Sequence, residues 1–233
     1  MSQEGNFVVR HIERSEPDVI IGLGLAGVAT VHEAAGRTGL LPPRIRPIQI
    51  GQTIAGPAVT ASCPPGDNMM IHAAVEVTEP GDVLVVALHT ASTDGMFGEL
   101  LATSLLARGC VGLVIDAGVR DTRELREMGF PVWSRSVHAQ GTVKETAGSV
   151  NRPVRFDGQT VDPGDIVVAD DDGVVVVARG DAMSVLEASR ERIAREEMVR
   201  QRLREGELGL DLYGLRDHLE TLGVRWVERP EDV

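Results

Sequence analysis

The chain is poor in the residues that mark several common classes of protein. It holds 2 cysteines in 233 residues, Cys63 and Cys110, far apart and in no metal-binding or redox spacing. A disulfide framework is thereby excluded, and both thiols suit small buried hydrophobes in a reducing cytoplasm. Aromatic residues make up only 3%, too few for the stacking platforms of single-strand nucleic-acid binders. Basic residues are outnumbered 23 to 35, and the net charge of −12 repels nucleic acid and anionic membrane alike. No apolar run approaches the ~18–20 residues of a membrane span. The start, Met1-Ser2-Gln3-Glu4-Gly5, lacks the basic segment and apolar stretch of a leader. Any anionic ligand must therefore be held by local arginines or by a metal.

What is present is the composition of a globular protein, 42% hydrophobic and 25% charged, in a chain long enough to bury a substantial core. Ser15-Glu16-Pro17-Asp18 predicts a helix start, with Ser15 as cap and the helix running to about Leu25. Gly22, Gly24 and Gly27 spell a dinucleotide fingerprint. Nothing else supports it, because no acid occurs between Glu33 and Asp67 to bind a ribose, so the glycines read as a helix break and turn. Arg37, Arg44 and Arg46 make the following stretch locally basic, either a rim for an anion or solvated surface. Strands are predicted at Ile54–Ser62, Val83–Leu88, Val111–Ile115 and Val132–Ser136. Helices are predicted at Met96–Ala107, with Phe97, Leu100, Leu101 and Leu105 at helical spacing, and at Thr122–Met128. The order of strand, helix and strand from Val83 to Ile115 implies a parallel pair. Beyond Gly148 the pattern changes to short strands separated by Asp-Gly and Pro-Gly turns, and Val174 to Val177 must be buried on both faces or at an interface. Asp181 to Glu205 reads as one long amphipathic helix, an arm able to reach a neighbouring subunit. The expected organisation is an α/β domain over residues 1–180 and a C-terminal helical extension over 181–233.

One stretch carries chemistry. Gly98 precedes the helix that begins Glu99-Leu100-Leu101. A glycine there lets the backbone approach a ligand, and the first-turn amides, pointing outward, suit a carboxylate. The segment Val114-Ile115-Asp116-Ala117-Gly118-Val119 ends a buried strand with a glycine turn that presents Arg120 and Asp121 side by side, at the carboxyl end of a parallel strand, where α/β proteins place ligands. Arginine offers a planar fork for a carboxylate, and aspartate a hard oxygen for Mg²⁺ or Mn²⁺. The alternative is a surface turn that merely starts the helix at Thr122. His32, His72, His89 and His138 are scattered singly, so a zinc triad is not indicated, although His32 and His72 can line a pocket.

The segments Thr30-Val31-His32-Glu33-Ala34, Pro65-Gly66-Asp67-Asn68, Gly98 to Asp121, Gln140-Gly141-Thr142-Val143-Lys144-Glu145 and Asp170-Asp171-Asp172-Gly173, with the tail Gly206 to Gly214, closely resemble the class II 4-hydroxy-4-methyl-2-oxoglutarate / 4-carboxy-4-hydroxy-2-oxoadipate aldolases. These are related to the regulator of ribonuclease E activity A, which shares the fold without the aldolase chemistry. The resemblance implies an RraA-like swivelling β/β/α domain, a homotrimer or hexamer with active sites between subunits, and a Mg²⁺ or Mn²⁺ cofactor. It further implies cleavage of oxo acids from aromatic-ring degradation to pyruvate plus a second oxo acid, with oxaloacetate decarboxylation as a side activity.

Carried over residue by residue, Asp121 is the direct metal ligand and Arg120 grips the pyruvyl carboxylate and faces the developing enolate. The amides of Leu100 and Leu101, after Gly98, hold the same carboxylate. Glu99 acts through metal-bound water, and stands where relatives often carry Asp. Glu33 and Glu196 approach from a neighbouring subunit, Glu196 toward the metal, although Glu197 sits beside it. No Schiff base is required, so Lys144 is structural or binds a second carboxylate. The alternative reading is a non-enzymatic regulator whose acidic surface meets a basic ribonuclease.

Overall fold

The computed structural model describes residues 6–229; the pentapeptide read above for a leader lies outside them. The chain divides into two compact units, the first ending at Ser189 and the second starting at Arg190. In the first unit come helices α1 (Pro17–Ala26) and α2 (Val28–Ala34), then β1 (Arg46–Pro47), β2 (Ile54–Cys63), α3 (Met69–Val77), β3 (Val83–Leu88) and β4 (Gly95–Phe97). They are followed by α4 (Glu99–Ala107), β5 (Gly112–Val119), α5 (Thr122–Glu127) and β6 (Val132–Val137). The short strands β7 (Ser149–Val150), β8 (Val154–Phe156), β9 (Gln159–Val161), β10 (Ile166–Asp170) and β11 (Gly173–Val177) complete the unit. A single 3-10 turn, Arg179–Asp181, leads into α6 (Ala182–Arg204), and α7 (Gly209–Leu212) and α8 (Leu215–Thr221) close the second unit.

Nine strands form one sheet along the path β1-β6-β5-β3-β2-β10-β11, with β4 paired to β5 and β7 to β2. The centre is parallel: β2 pairs with β3, β3 with β5 and β5 with β6. On the other side β2, β10 and β11 run antiparallel. The sheet curls strongly, since the Trp133 indole on β6 donates to the Asp170 carbonyl at the end of β10 at 2.8 Å. Alternation along each strand then separates two apolar layers. Val83, Val85, Ala87, Val167, Ala169, Val174 and Val176 face the inside of the curl, where the β8–β9 hairpin fills the space with Val154, Phe156 and Val161. Leu84 and Val86 face outward onto α3, α4 and α5, and Ile166, Val168, Val175 and Val177 face outward onto α1, α2 and the start of α6. Thus Val174 to Val177 of β11 are all valine because both faces of the strand are buried. Its outer edge is paired too: Leu41 N–H donates to Val174 O and Val176 N–H to Gly39 O, each at 2.9 Å. A side chain on Gly39, which has φ of 78°, would lie 2.1 Å from the Val176 carbonyl.

Several boundaries differ from the sequence-based expectation. Ser15 does not cap α1; Glu16 occupies the cap position without a side-chain bond, and its carbonyl accepts the Val19 and Ile20 amides. Gly27, at φ 78°, ends α1 and admits α2, so the glycine run is a helix break. Met96 and Phe97 belong to a strand, because Gly95 and Phe97 pair with Gly118 and Val119, and α4 starts only after the extended Gly98. Strand β5 continues past Ile115 to Val119, carrying Asp116 with it. The boundary between the units falls inside α6, since Ala182, Val185, Leu186 and Ser189 on its first turns are buried. In the second unit Ile193, Met198, Leu203, Leu208, Tyr213 and Trp226 are exposed. No helix among the described residues is long and apolar enough to cross a membrane. Both cysteines are buried, as expected, and burial pushes the thiols up to about 12 at Cys63 and about 11 at Cys110.

Candidate active site

The carboxyl ends of β4 and β5 and the start of α4 meet around a small pocket of about 140 Å³, lined by Asn68, His72, Gly95 to Gly98, Leu100, Leu101, Arg120, Asp121 and Lys144. Its scale suits a fragment of a few heavy atoms, being well below the ~300–1,000 Å³ of sites for larger ligands. One wall is backbone. The first helical bond of α4 runs from Ala102 N–H to Gly98 O at 3.1 Å, so the three preceding amides are free to point out of the helix end. The Glu99 amide donates to Asp121 Oδ2 at 3.1 Å. Those of Leu100 and Leu101 have no acceptor among the described residues and face the pocket. Free amides at this helix start leave room for an anionic group. Gly98 is required for a second reason: a Cβ there would stand 2.2 Å from Asp121 Oδ2.

The second wall is the turn after β5. Arg120 N–H donates to Phe97 O at 2.9 Å, which fixes the turn against β4. Asp121 takes the left-handed conformation, φ 56° and ψ 38°, and caps α5. Such a conformation costs of order 1 kcal/mol for a residue with a Cβ. The side chains of Arg120 and Asp121 remain 46% and 39% exposed, with Arg120 Nε 3.6 Å from Asp121 Oδ2. Asp121 Oδ2 is therefore engaged by the chain, and Oδ1 has no partner among the described residues. Gly141 leaves room beside the guanidinium, whose Nη1 would lie 3.5 Å from a Cβ at that position.

The third wall is polar and tightly held. Asp67, 2% exposed, accepts the amides of Met69 at 2.9 Å, Glu145 at 2.7 Å and Thr146 at 2.6 Å. Burial alone would raise its carboxyl, but these three donors together outweigh burial and hold it below the usual carboxylate range. The Lys144 loop is thereby fastened to the start of α3, which carries Asn68 and His72 into the pocket. The Asn68 amide donates to Met96 O at 2.9 Å and its Oδ1 is buried without a partner. Burial, and then the neighbouring Lys144 charge, push the His72 imidazole below its ordinary value, so it is neutral near pH 7.

Of the residues singled out in the sequence, Gly98, Leu100, Leu101, Arg120 and Asp121 come together here, joined by Lys144 and His72. The Glu99 carboxylate turns along its own helix and accepts the Thr103 hydroxyl at 3.1 Å, so its amide rather than its side chain faces Asp121. Glu33 lies on α2 in an ion pair with Arg37 at 3.1 Å, and Glu196 lies in the second unit, paired with Arg192 at 2.8 Å. The basic stretch is spent within the chain rather than on a rim. Arg37 holds Glu33, Arg44 holds Asp116 and Asp157, and Arg46 donates to the carbonyls of Asp171 and Asp172. His32 is bonded to Thr38 O at 3.0 Å. The role of Asp67 as a fastener was not read from the sequence; an aspartate two residues before a helix signals only its bond to the Met69 amide, not those to Glu145 and Thr146.

Among the described residues no three His, Cys, Asp or Glu side chains are grouped to hold a metal ion. The donor set therefore does not fit a tetrahedral zinc cage. It does fit Mg²⁺ or Mn²⁺, which use one or two carboxylates and complete their shell with water and substrate oxygens; Asp121 Oδ1 is the free hard oxygen.

Comparison with known proteins gives the family and the fold. A family model described as Aldolase/RraA, the RraA-like family, matches residues 28–176. A protein of Halalkalibacterium halodurans, provisionally named 4-hydroxy-4-methyl-2-oxoglutarate aldolase, is 26% identical over 91% of this chain and 98% of its own length. A Burkholderia multivorans protein with the same provisional name is 37% identical over 62% of this chain and 88% of its own. Among solved structures, Streptomyces coelicolor RraAS2, titled an unusual member of the RNase ES inhibitor RraA family, superposes with a TM-score of 0.73. It is 29% identical and covers 81% of this chain and 100% of that one. The RNA-processing inhibitor RraA from Thermus thermophilis gives 0.59 at 26% identity, covering 64% and 90%.

Proposed function

Because the chain belongs to the Aldolase/RraA family and has its fold, we propose that it is a divalent-metal-dependent aldolase. Its substrates would be 4-carboxy-4-hydroxy-2-oxoadipate and 4-hydroxy-4-methyl-2-oxoglutarate, cleaved to pyruvate plus oxaloacetate or a second pyruvate, with decarboxylation of oxaloacetate as a side activity. The observation that carries the proposal is the convergence of two free helix-start amides, one arginine fork and one half-free aspartate in a pocket of pyruvate scale.

The chain's own groups divide the work. Leu100 and Leu101 N–H and the Arg120 guanidinium bind the C1 carboxylate and fix the 2-oxo group beside them. Cleaving C3–C4 leaves an electron pair on C3, which delocalises onto the C2 oxygen, and Arg120 supplies positive charge at that side of the pocket. Asp121 would hold Mg²⁺ or Mn²⁺, which when bound supplies further positive charge at the oxygen gaining electrons. Loss of CO₂ from oxaloacetate leaves the same electron pair and draws on the same groups. Lys144, beside neutral His72, faces the part of the pocket where a second carboxylate of the substrate would lie, and no covalent role is required of it. Glu99 is assigned to orient the water that takes the C4 hydroxyl proton and then returns a proton to C3 of the enolate to complete pyruvate, which requires its side chain to leave Thr103. In the assembly we propose, a homotrimer or hexamer, Glu33 and Glu196 of a neighbouring copy complete the site, Glu196 on the metal side. A cytoplasmic setting accords with the two inert buried thiols.

The test is pyruvate release from oxaloacetate and from each branched substrate in Mg²⁺, repeated after EDTA treatment. Metal-dependent turnover is expected. If none occurs with any of the three substrates while the purified chain binds a ribonuclease, the aldolase reading is overturned in favour of the regulator. That second reading draws on the likeness to two solved structures, a member of the RNase ES inhibitor RraA family and an RNA-processing inhibitor.

A further inference from the structure

A second concavity, of about 600 Å³, opens beside the carboxyl ends of β2 and β3 and shares no lining residue with the pocket above. Its lining is Asn6, Ser62, His89, Gly148, Ser149, Arg152, Pro153 and Arg155, without a single carboxylate. That is unusual in a chain where acids outnumber bases 35 to 23. Several arginines of the first unit are already engaged: Arg10, Arg14, Arg37, Arg44, Arg135 and Arg179 all have acidic partners. Arg152 and Arg155 have none among the described residues. Arg152 instead lies over the Phe7 ring, 5.9 Å from its centre.

The two guanidinium groups stand on a rigid mount. Thr60 Oγ donates to Arg152 O at 2.6 Å and Asn151 N–H to Thr60 O at 2.8 Å, which fastens the segment to the buried strand β2. Val154 and Phe156 point into the core, so strand alternation sends Arg155 the opposite way. Ser62 and Ser149 are directly paired in the β2–β7 ladder, and neither hydroxyl is bonded among the described residues. His89 is held at the end of β3 by its amide bond to Cys63 O at 3.1 Å. A carboxylate-free cleft with two unpaired planar forks and two free hydroxyls, at the end of a parallel sheet, has the chemistry of an anion site.

We propose that this cleft binds a small multivalent oxyanion, a phosphate or a polycarboxylate, at a site separate from the Arg120–Asp121 pocket. The proposal is independent of the aldolase reading. Titration calorimetry of the whole chain at low ionic strength, with inorganic phosphate in one arm and citrate in the other, tests it and tells the two sources apart. One anion per chain is expected in at least one arm. Arg155→Gln is expected to weaken it about tenfold, from loss of one charge-assisted pair of hydrogen bonds. Arg152→Gln/Arg155→Gln should remove it, while Arg120→Ala leaves it in place. Melting curves without anion should be unchanged in Arg155→Gln, whose side chain is exposed. The proposal is overturned if neither anion binds, if the double variant binds as the unmodified chain does, or if Arg120→Ala alone removes the binding. It is equally overturned if no anion binds and the double variant changes the sedimentation mass, which would give the arginines to another copy of the chain.

Discussion

Two aspartates five positions apart in and just after β5 show how the same chemistry is put to opposite uses. Asp116 has its side chain 11% exposed and is gripped by Arg44 at 3.0 and 2.8 Å and by Arg135 at 2.9 Å. Burial would raise its carboxyl, but the two guanidinium groups outweigh burial and hold it below its ordinary value. Its hydrogen-bonding capacity is consumed inside the protein. Asp121 is 39% exposed, has one amide at 3.1 Å and one loosely placed guanidinium at 3.6 Å, and keeps Oδ1 free. The first is a strut and the second is a group held ready for a ligand; the count of internal partners separates them, since residue type does not.

The contrast can be broken most forcefully by removing each carboxylate. Asp121→Ala is expected to lower pyruvate formation by about a thousandfold, roughly 4 kcal/mol of barrier, with the melting temperature nearly unchanged. Asp116→Ala should do the reverse: about 3 kcal/mol of stability is lost, because Arg135 is left part-buried without a counter-charge and Arg44 keeps only Asp157, while the folded fraction keeps its turnover. Urea unfolding and steady-state kinetics on both variants decide it, and a stable but inactive Asp116→Ala would erase the distinction. A smaller effect is expected from Gly98→Ala. The new Cβ collides with Asp121 Oδ2, 2.2 Å away, and displacement of that carboxylate should cost about a hundredfold in kcat/KM with little change in the far-ultraviolet circular dichroism. Arg120→Ala should cost a similar factor, and pyruvate binding measured by calorimetry should weaken with it.

Acid gives the mildest contrast. Asp67 and Asp116 both sit below the ordinary carboxylate range, so the unfolded chain takes up protons at higher pH than the folded one. Their contribution to stability is therefore complete above the usual carboxylate range and is lost as pH falls through their folded values. His72, pushed downward, acts in the same direction at higher pH, since its unfolded form protonates first. Urea midpoints from pH 7 downward should fall, and Asp116→Asn should flatten the lower part of that slope. An unchanged slope would mean that Asp116 is not the strut described.

Most strands and helices were legible in the sequence because alternation and helical spacing are local. Strand β5 was read to end at Ile115, and its continuation through Asp116 rests on Arg44 and Arg135, which lie outside the strand. Met96 and Phe97 fit a helical spacing equally well, and only their pairing with β5 makes them a strand. At the site, the Arg-Asp turn and the glycine before α4 were visible because each is a local device. The fastening of Lys144, Asn68 and His72 around Asp67 was not, since it joins two loops through backbone amides that leave no mark on residue type.

The pairing of Gly39 and Leu41 along the outer edge of β11 has a consequence far from any chemistry. Stripped of that cover, four consecutive valines would offer an open ladder of amides and carbonyls to any other extended chain, the arrangement from which fibrils and insoluble clumps grow. With the Val176 carbonyl 2.1 Å from where a side chain would begin, even an alanine at Gly39 lifts the cover. Such a variant would be recognised by its loss from the supernatant on expression, with the catalytic groups untouched.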